Sequence, residues 1–190
     1  CILRECINFY FPRLKLINHY YSLQLSHDVD RPSKYKFESS KLLFKHILHN
    51  SIKKPSIKEL KRLFKTKFSK QINLHKDDPY NTFDWLLKVN LKHNIKSIFY
   101  FVFRNKIDYF DVDYNYSSPI ITNLISKIIK NQQIIGLHSS YRSQYNIEIL
   151  NYEVKKYQKI LKLNNIKNLK LHHRSHYLRW QTPYSARNLD

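Results

Sequence analysis

From residue 81 onward the chain alternates short apolar runs with longer amphipathic stretches, and that rhythm restricts it to parallel βα units. Asn81 is placed to cap a helix with Asp84 at the capping-box position and Phe83, Leu86, Leu87 and Leu91 as its apolar stripe. Ser97 to Phe103 is an apolar and aromatic run of the kind that a strand buried on both faces needs. Ser118 and Pro119 open a second helix, with Ile121, Leu124, Ile125 and Ile128 on one face. Gln133 to His138 reads as a strand, and Ile147, Leu150, Val154, Tyr157 and Leu161 as the apolar face of a long helix. Leu169 to His173 is a further strand, and Pro183 starts a last helix. In such folds the chemistry gathers at the C-terminal ends of the strands, which selects three clusters.

The first ends the alternating run Leu23-Gln24-Leu25-Ser26-His27-Asp28-Val29-Asp30, stopped by Arg31-Pro32. On a strand Leu23, Leu25, His27 and Val29 share one face and Gln24, Ser26, Asp28 and Asp30 the other, so both carboxylates point the same way, about 7 Å apart. Such a pair suits a metal site or an acid/base pair, because each acid tunes the other's charge. A solvated strand end entering an Asx turn is the plain alternative.

The second cluster is Gly136-Leu137-His138-Ser139-Ser140-Tyr141. Gly136 is the only glycine in the sequence, and a chain that avoids glycine elsewhere keeps one where backbone passes close to another group. His138, at its strand end, could be a neutral imidazole ligand beside Asp28 or Asp30, or a half-buried histidine satisfied by backbone. The third cluster is Arg174-Ser175-His176-Tyr177-Leu178-Arg179-Trp180. Arg174 can hold one carboxylate as an ionised base through a bidentate pair, or bind phosphate, or be structural. The loop after it can offer backbone N–H groups to an oxyanion, while His172, His173 and His176 add candidate ligands.

The formal charge of +20 would ordinarily indicate a polyanion. Here it accompanies a general crowding of Lys, Asn, Ile and Tyr, the pattern of an A/T-biased coding sequence, so nucleic acid is not the expected partner. The basic residues concentrate over Lys53 to Lys70, where Lys58, Lys61, Arg62 and Lys65 fall on one helical face and Ile57, Leu60, Phe64 and Phe68 on the other. That stretch lies in a long excursion over about residues 31–80, with helices expected over Glu38 to Asn50 and Ser56 to Ser69. Residues 1–20 read as a lead-in or the end of a preceding domain. Two cysteines, both near the start, fit a reducing, cytoplasmic setting, and no apolar run reaches the ~20 residues of a transmembrane segment. A second Asp-Val-Asp, at 111–113, follows a polar aromatic stretch and reads as a surface loop.

Taken in order, Ser-His-Asp-Val-Asp at 26–30, Asp-Pro-Tyr-Asn-Thr-Phe-Asp-Trp-Leu-Leu at 78–87, Gly-Leu-His-Ser-Ser-Tyr at 136–141 and Arg-Ser-His-Tyr-Leu-Arg-Trp at 174–180 resemble the polysaccharide deacetylase superfamily, in particular a bacterial deacetylase-like branch associated with surface polysaccharides. The resemblance runs from about residue 20 to the end. It implies a distorted (β/α) barrel, incomplete in this chain, occupying 21–190 with a helical insertion over about 31–80. It also implies a carbohydrate substrate and hydrolysis of an acetyl group with a divalent metal, usually zinc. On this likeness Asp28 matches the base, Asp30 the metal-binding acid, His138 the first metal histidine, Arg174 the arginine that orients the base, and Tyr177 the donor of an oxyanion N–H. The sequence departs from the family in three ways: Val29 separates the two acids; the second histidine would fall on Arg142, leaving His176 or water to complete the site; and the later motifs would lie past Asp190. A non-catalytic relative that binds anionic glycan or lipid-linked sugar through the basic face is the alternative.

Overall fold

The computed structural model describes residues 2–17, 20–41, 43, 57–104, 110–167 and 170–178. Four parallel strands, β1 (Leu25–Asp28), β2 (Ser97–Phe101), β3 (Ile134–Ser139) and β4 (His173–Ser175), lie side by side in sequence order in a curled sheet that makes half a barrel. The mixed α/β architecture and the parallel pairing are those expected from the βα rhythm. The described helices are α1 (Ile2–Tyr10), α2 (Ile57–Lys67), α3 (Phe83–Lys92), α4 (Pro119–Lys130) and α5 (Ile147–Leu163).

Register assigns the two faces of the sheet. Asp28 pairs with Tyr100, Tyr100 with Gly136, and His138 with Arg174, so these side chains share the concave face with Ser26. Phe99, Phe101, Ile135 and Leu137 point the other way, into the core they form with Phe83, Leu87, Ile121, Leu124, Ile125, Ile128, Leu150, Tyr157 and Leu161 of α3, α4 and α5. All five residues of β2 are buried, as its unbroken apolar run requires. Ser118 caps α4, its hydroxyl accepting the Ile121 N–H, with Pro119 in the first turn where its missing N–H is harmless. All four residues expected on the buried face of α4 are buried.

Several sequence expectations shift. β1 begins at Leu25, leaving Leu23 exposed, and ends at Asp28, so Asp30 lies just beyond the strand. The cap of α3 is Thr82 rather than Asn81, and Leu91 is exposed because α3 docks through Phe83, Leu87 and the amide of Asn90. That amide donates to Ser97 Oγ and Gln133 Oε1, which ties α3 to the starts of β2 and β3. β4 sits at His173–Ser175, later than Leu169–His173, so Arg174 lies within the strand and opposite His138.

The lead-in folds as α1, with none of its residues buried. α2 docks through Leu63 and Thr66, and Leu63 packs with Tyr35 and Leu43 in a small cluster of its own. The stripe Ile57, Leu60, Phe64 and Phe68 is therefore turned outward and exposed. Most of the helix expected over 38–50, and the one at Pro183, lie outside the described residues. Among the described residues no helix is long and apolar enough to cross a membrane.

Candidate functional site

The C-terminal ends of β1, β3 and β4 bring one acid and two histidines together. A ligand atom from each of Asp30, His138 and His176 lies within 4.8 Å of the other two. His138 and His176 are buried; half of the Asp30 side chain is exposed, but its Oδ1 is buried and has no hydrogen-bond partner among the described residues. That oxygen faces His138 Nε2 at 3.6 Å and His176 Nδ1 at 3.9 Å, too far for hydrogen bonds.

The protons of the two rings are placed by their outer partners. His138 Nδ1–H donates to the Arg174 carbonyl at 3.0 Å, and His176 Nε2–H donates to the Phe110 carbonyl at 2.9 Å; a carbonyl can only accept, so each ring spends its single neutral N–H outward. The inner nitrogens, His138 Nε2 and His176 Nδ1, are then both lone pairs, yet they lie 2.9 Å apart. Burial pushes the His138 imidazole below its ordinary pKa, with its bond to the Arg174 carbonyl, Asp30 and Asp28 opposing, which disfavours a second proton on that ring. With both rings neutral, three acceptor atoms converge. A donor set of one carboxylate and two carbonyl-anchored imidazoles could hold a metal ion, and the backbone bonds are outer contacts of the kind that orient such ligands.

Asp28 stands beside this group on the same cleft, a cavity of about 360 Å³ lined by Asp28, Asp30, Arg31, Asp111, His138, His176, Tyr177 and Leu178. The Arg174 fork is divided: one N–H donates to Asp28 Oδ1 and the other to Ser26 Oγ, each at 2.7 Å. The bidentate grip expected from the sequence is thus shared between the two same-face residues of β1. The guanidinium lies over the Tyr100 ring, 4.4 Å from its centroid. Tyr100 can lie flat across β3 only because position 136 has no side chain; a Cβ there would sit 2.5 Å from two ring carbons. The single glycine therefore serves the close approach expected of it, through a ring that supports Arg174.

Tyr177 has φ 59° and ψ 15°, a left-handed conformation that is costly for an aromatic residue, and it lines the cleft wall with its side chain largely exposed. Arg142 lies in the exposed turn after β3, outside the ligand group, and His176 occupies the third position. His173 does not join the group: its Nε2 pairs with Ser139 Oγ at 2.9 Å on the opposite face.

The second Asp-Val-Asp is not a surface loop. Val112 is buried at 3% exposure, Asp111 lines the cleft, and Tyr114, 1% exposed, accepts the Val102 N–H on its hydroxyl. Asp111 accepts the Tyr141 N–H at 2.7 Å and pairs with Arg104; Asp113 pairs with Arg31, and burial raises its pKa to about 6. Glu153 of α5, fully buried, accepts the Ser140 N–H at 3.0 Å, and burial raises its carboxyl to about 7. The apolar Val112 between polar neighbours, followed by Tyr114-Asn115-Tyr116, was the one signal in the sequence that this loop is anchored.

The chain matches no family model, no curated protein and no solved structure.

Proposed function

We propose that the chain is a metal-dependent hydrolase of the carbohydrate-deacetylase type, with Asp30, His138 and His176 holding a divalent cation, zinc by their chemistry, and Asp28 acting as the base. The observation that carries this reading is the convergence of one ligand atom from each of Asp30, His138 and His176 within 4.8 Å, with Asp30 Oδ1 buried and unpartnered among the described residues. A divalent cation held there would polarise an acyl carbonyl and lower the pKa of a bound water toward ~7.

The chain's own residues supply the rest. Asp28 takes the proton from the attacking water, and Arg174 holds the carboxylate aimed into the cleft. Tyr177, at the cleft wall, offers its backbone N–H to the oxyanion. The order of the motifs, which resemble those of polysaccharide deacetylases, supports an N-acetylated sugar as the substrate class.

The test is calorimetric zinc binding to this chain beside Asp30→Ala and His138→Ala, followed by acetate release from an N-acetylated oligosaccharide. Stoichiometric zinc uptake lost in both variants, with Asp28→Asn retaining zinc and losing acetate release, is the expected result. No zinc uptake by the folded chain would sink the reading.

A second reading has an observation of its own. A groove of about 500 Å³ beside α2 is lined by Lys58, Lys61, Arg62 and Lys65, with Ile57 and Asp77, and suits an anionic glycan held without catalysis. Binding that collapses with salt and is indifferent to Asp30→Ala would favour it.

A further inference from the structure

The geometry points to the Phe110–Tyr114 loop as the template that holds all three ligand-bearing segments in register, with Asp111 and Asp113 as positioning residues; this inference rests on the metal reading of the Asp30, His138 and His176 group. One short segment reaches each of them. The Phe110 carbonyl accepts the Nε2–H of His176, turning that ring's Nδ1 inward. Asp111 Oδ1 accepts the Tyr141 N–H, three residues past His138. Asp113 Oδ2 takes the Arg31 Nε–H at 3.3 Å, on the residue that follows Asp30.

The loop is itself fixed from behind. The Val112 side chain sits in the main core, the Tyr114 hydroxyl accepts the Val102 N–H at 3.1 Å just past β2, and Arg104 donates to Asp111 Oδ2 at 3.3 Å. It thus transmits the position of the β2 end to the exits of β1, β3 and β4. Just past His138, two buried acids, Asp111 from the loop and Glu153 from α5, accept the consecutive N–H groups of Tyr141 and Ser140. Contacts made to a ligand itself, as the Phe110 carbonyl makes to His176, typically govern metal affinity by about 10- to 100-fold, and Asp111 and Asp113 act on that shell by holding the loop and the chain beside the ligands.

The experiment is zinc titration of the full chain by calorimetry, with the visible spectrum of the cobalt(II) form, for the wild type, Asp111→Asn and Asp113→Asn. Ile128→Val, a core change in α4, controls for loss of stability. Each Asn variant is expected to lose zinc affinity by about 10- to 100-fold and to shift the cobalt bands, while Ile128→Val lowers the unfolding midpoint and binds zinc like the wild type. Asp113 is 21% exposed on its side chain, so Asp113→Asn keeps the question decidable where Asp111→Asn does not fold. Zinc affinity and cobalt spectrum unchanged in the folded Asn variants would overturn the template. A folded wild type that takes up no zinc fails earlier, at the metal reading. The loop is then judged from imidazole nitrogen shifts: His138 Nδ1–H and His176 Nε2–H kept as single tautomers in the wild type and mixed in the Asn variants support it, and identical tautomers overturn it.

Discussion

Asp-Val-Asp occurs twice, at 28–30 and 111–113, and the two copies turn the same atoms to opposite ends. Both valines are buried, at 4% and 3% exposure, so each copy is pinned by its middle residue. Around the first, Asp28 accepts from Arg174, while Asp30 Oδ1 faces the two imidazoles with no hydrogen-bond partner among the described residues. Around the second, Asp111 accepts from the Tyr141 N–H and from Arg104 and Asp113 Oδ2 from Arg31, with Asp113 Oδ1 buried and unpartnered among the described residues. A carboxylate gripped by donors on both oxygens, as in Asp111, is anchored, and one turned toward two imidazoles, as in Asp30, could hold a cation. The role lies in the neighbours, which no three-letter match can convey.

The sharpest way to break this contrast is to remove one acid from each copy in metal-free protein. Asp111→Ala leaves Arg104 and the Tyr141 N–H without their buried partner, and breaking such a pair costs about 3–5 kcal/mol in a urea unfolding curve. A loss below about 1 kcal/mol would place Asp111 with the exposed ion pairs, whose contributions are small.

Next comes pH. Glu153 rises from 4.5 to about 7 on burial, so its folded state prefers the proton. The contribution of the neutral acid is fully present below the unfolded value near 4.5 and is lost as pH climbs through about 7, a drop of about 3 kcal/mol. Glu153→Gln, always neutral, should flatten that part of the stability profile. A profile identical in wild type and variant would remove Glu153 from the supports of the β3 exit.

A smaller effect separates the supports of Asp28 from those of Asp111. Gly136→Ala drives a Cβ against the Tyr100 ring and should cost about 1–3 kcal/mol. Tyr100→Leu in the same chain should recover part of that loss, and simple additivity of the two changes would show that ring and glycine are independent. The smallest change is Asp30→Ala without metal. With no hydrogen bond to lose at Oδ1, its unfolding free energy should stay within about 0.5 kcal/mol of wild type, although zinc binding disappears. A large destabilisation would mean that Asp30 is a strut like its counterpart.

Legibility in the sequence followed the range of the forces involved. The βα rhythm, the buried face of α4 and the aromatic strand β2 were readable because periodicity and apolar runs report local geometry against one core. The exposure of Leu91, and of the apolar stripe of α2, was not legible because periodicity gives a face but not the docking angle, and Leu63 and Asn90 set those angles through distant partners. Asp30, His138 and His176 were nameable one at a time as polar residues near strand ends. Their lone pairs meet only because Phe110 and Arg174 offer carbonyls from elsewhere in the chain.

By itself the sequence determined that strands and helices alternate, where the strand ends fall to within a few residues, and that Gly136 marks a close approach. Each of these follows from side-chain pattern and backbone sterics acting over one element. Tertiary structure alone decided that Asp111 meets donors while Asp30 Oδ1 meets two imidazoles, and that the Arg174 fork divides between Asp28 and Ser26. Hydrogen bonds and charges act over a few ångströms between groups as many as 148 residues apart in sequence, and only the register of the sheet brings those groups within reach.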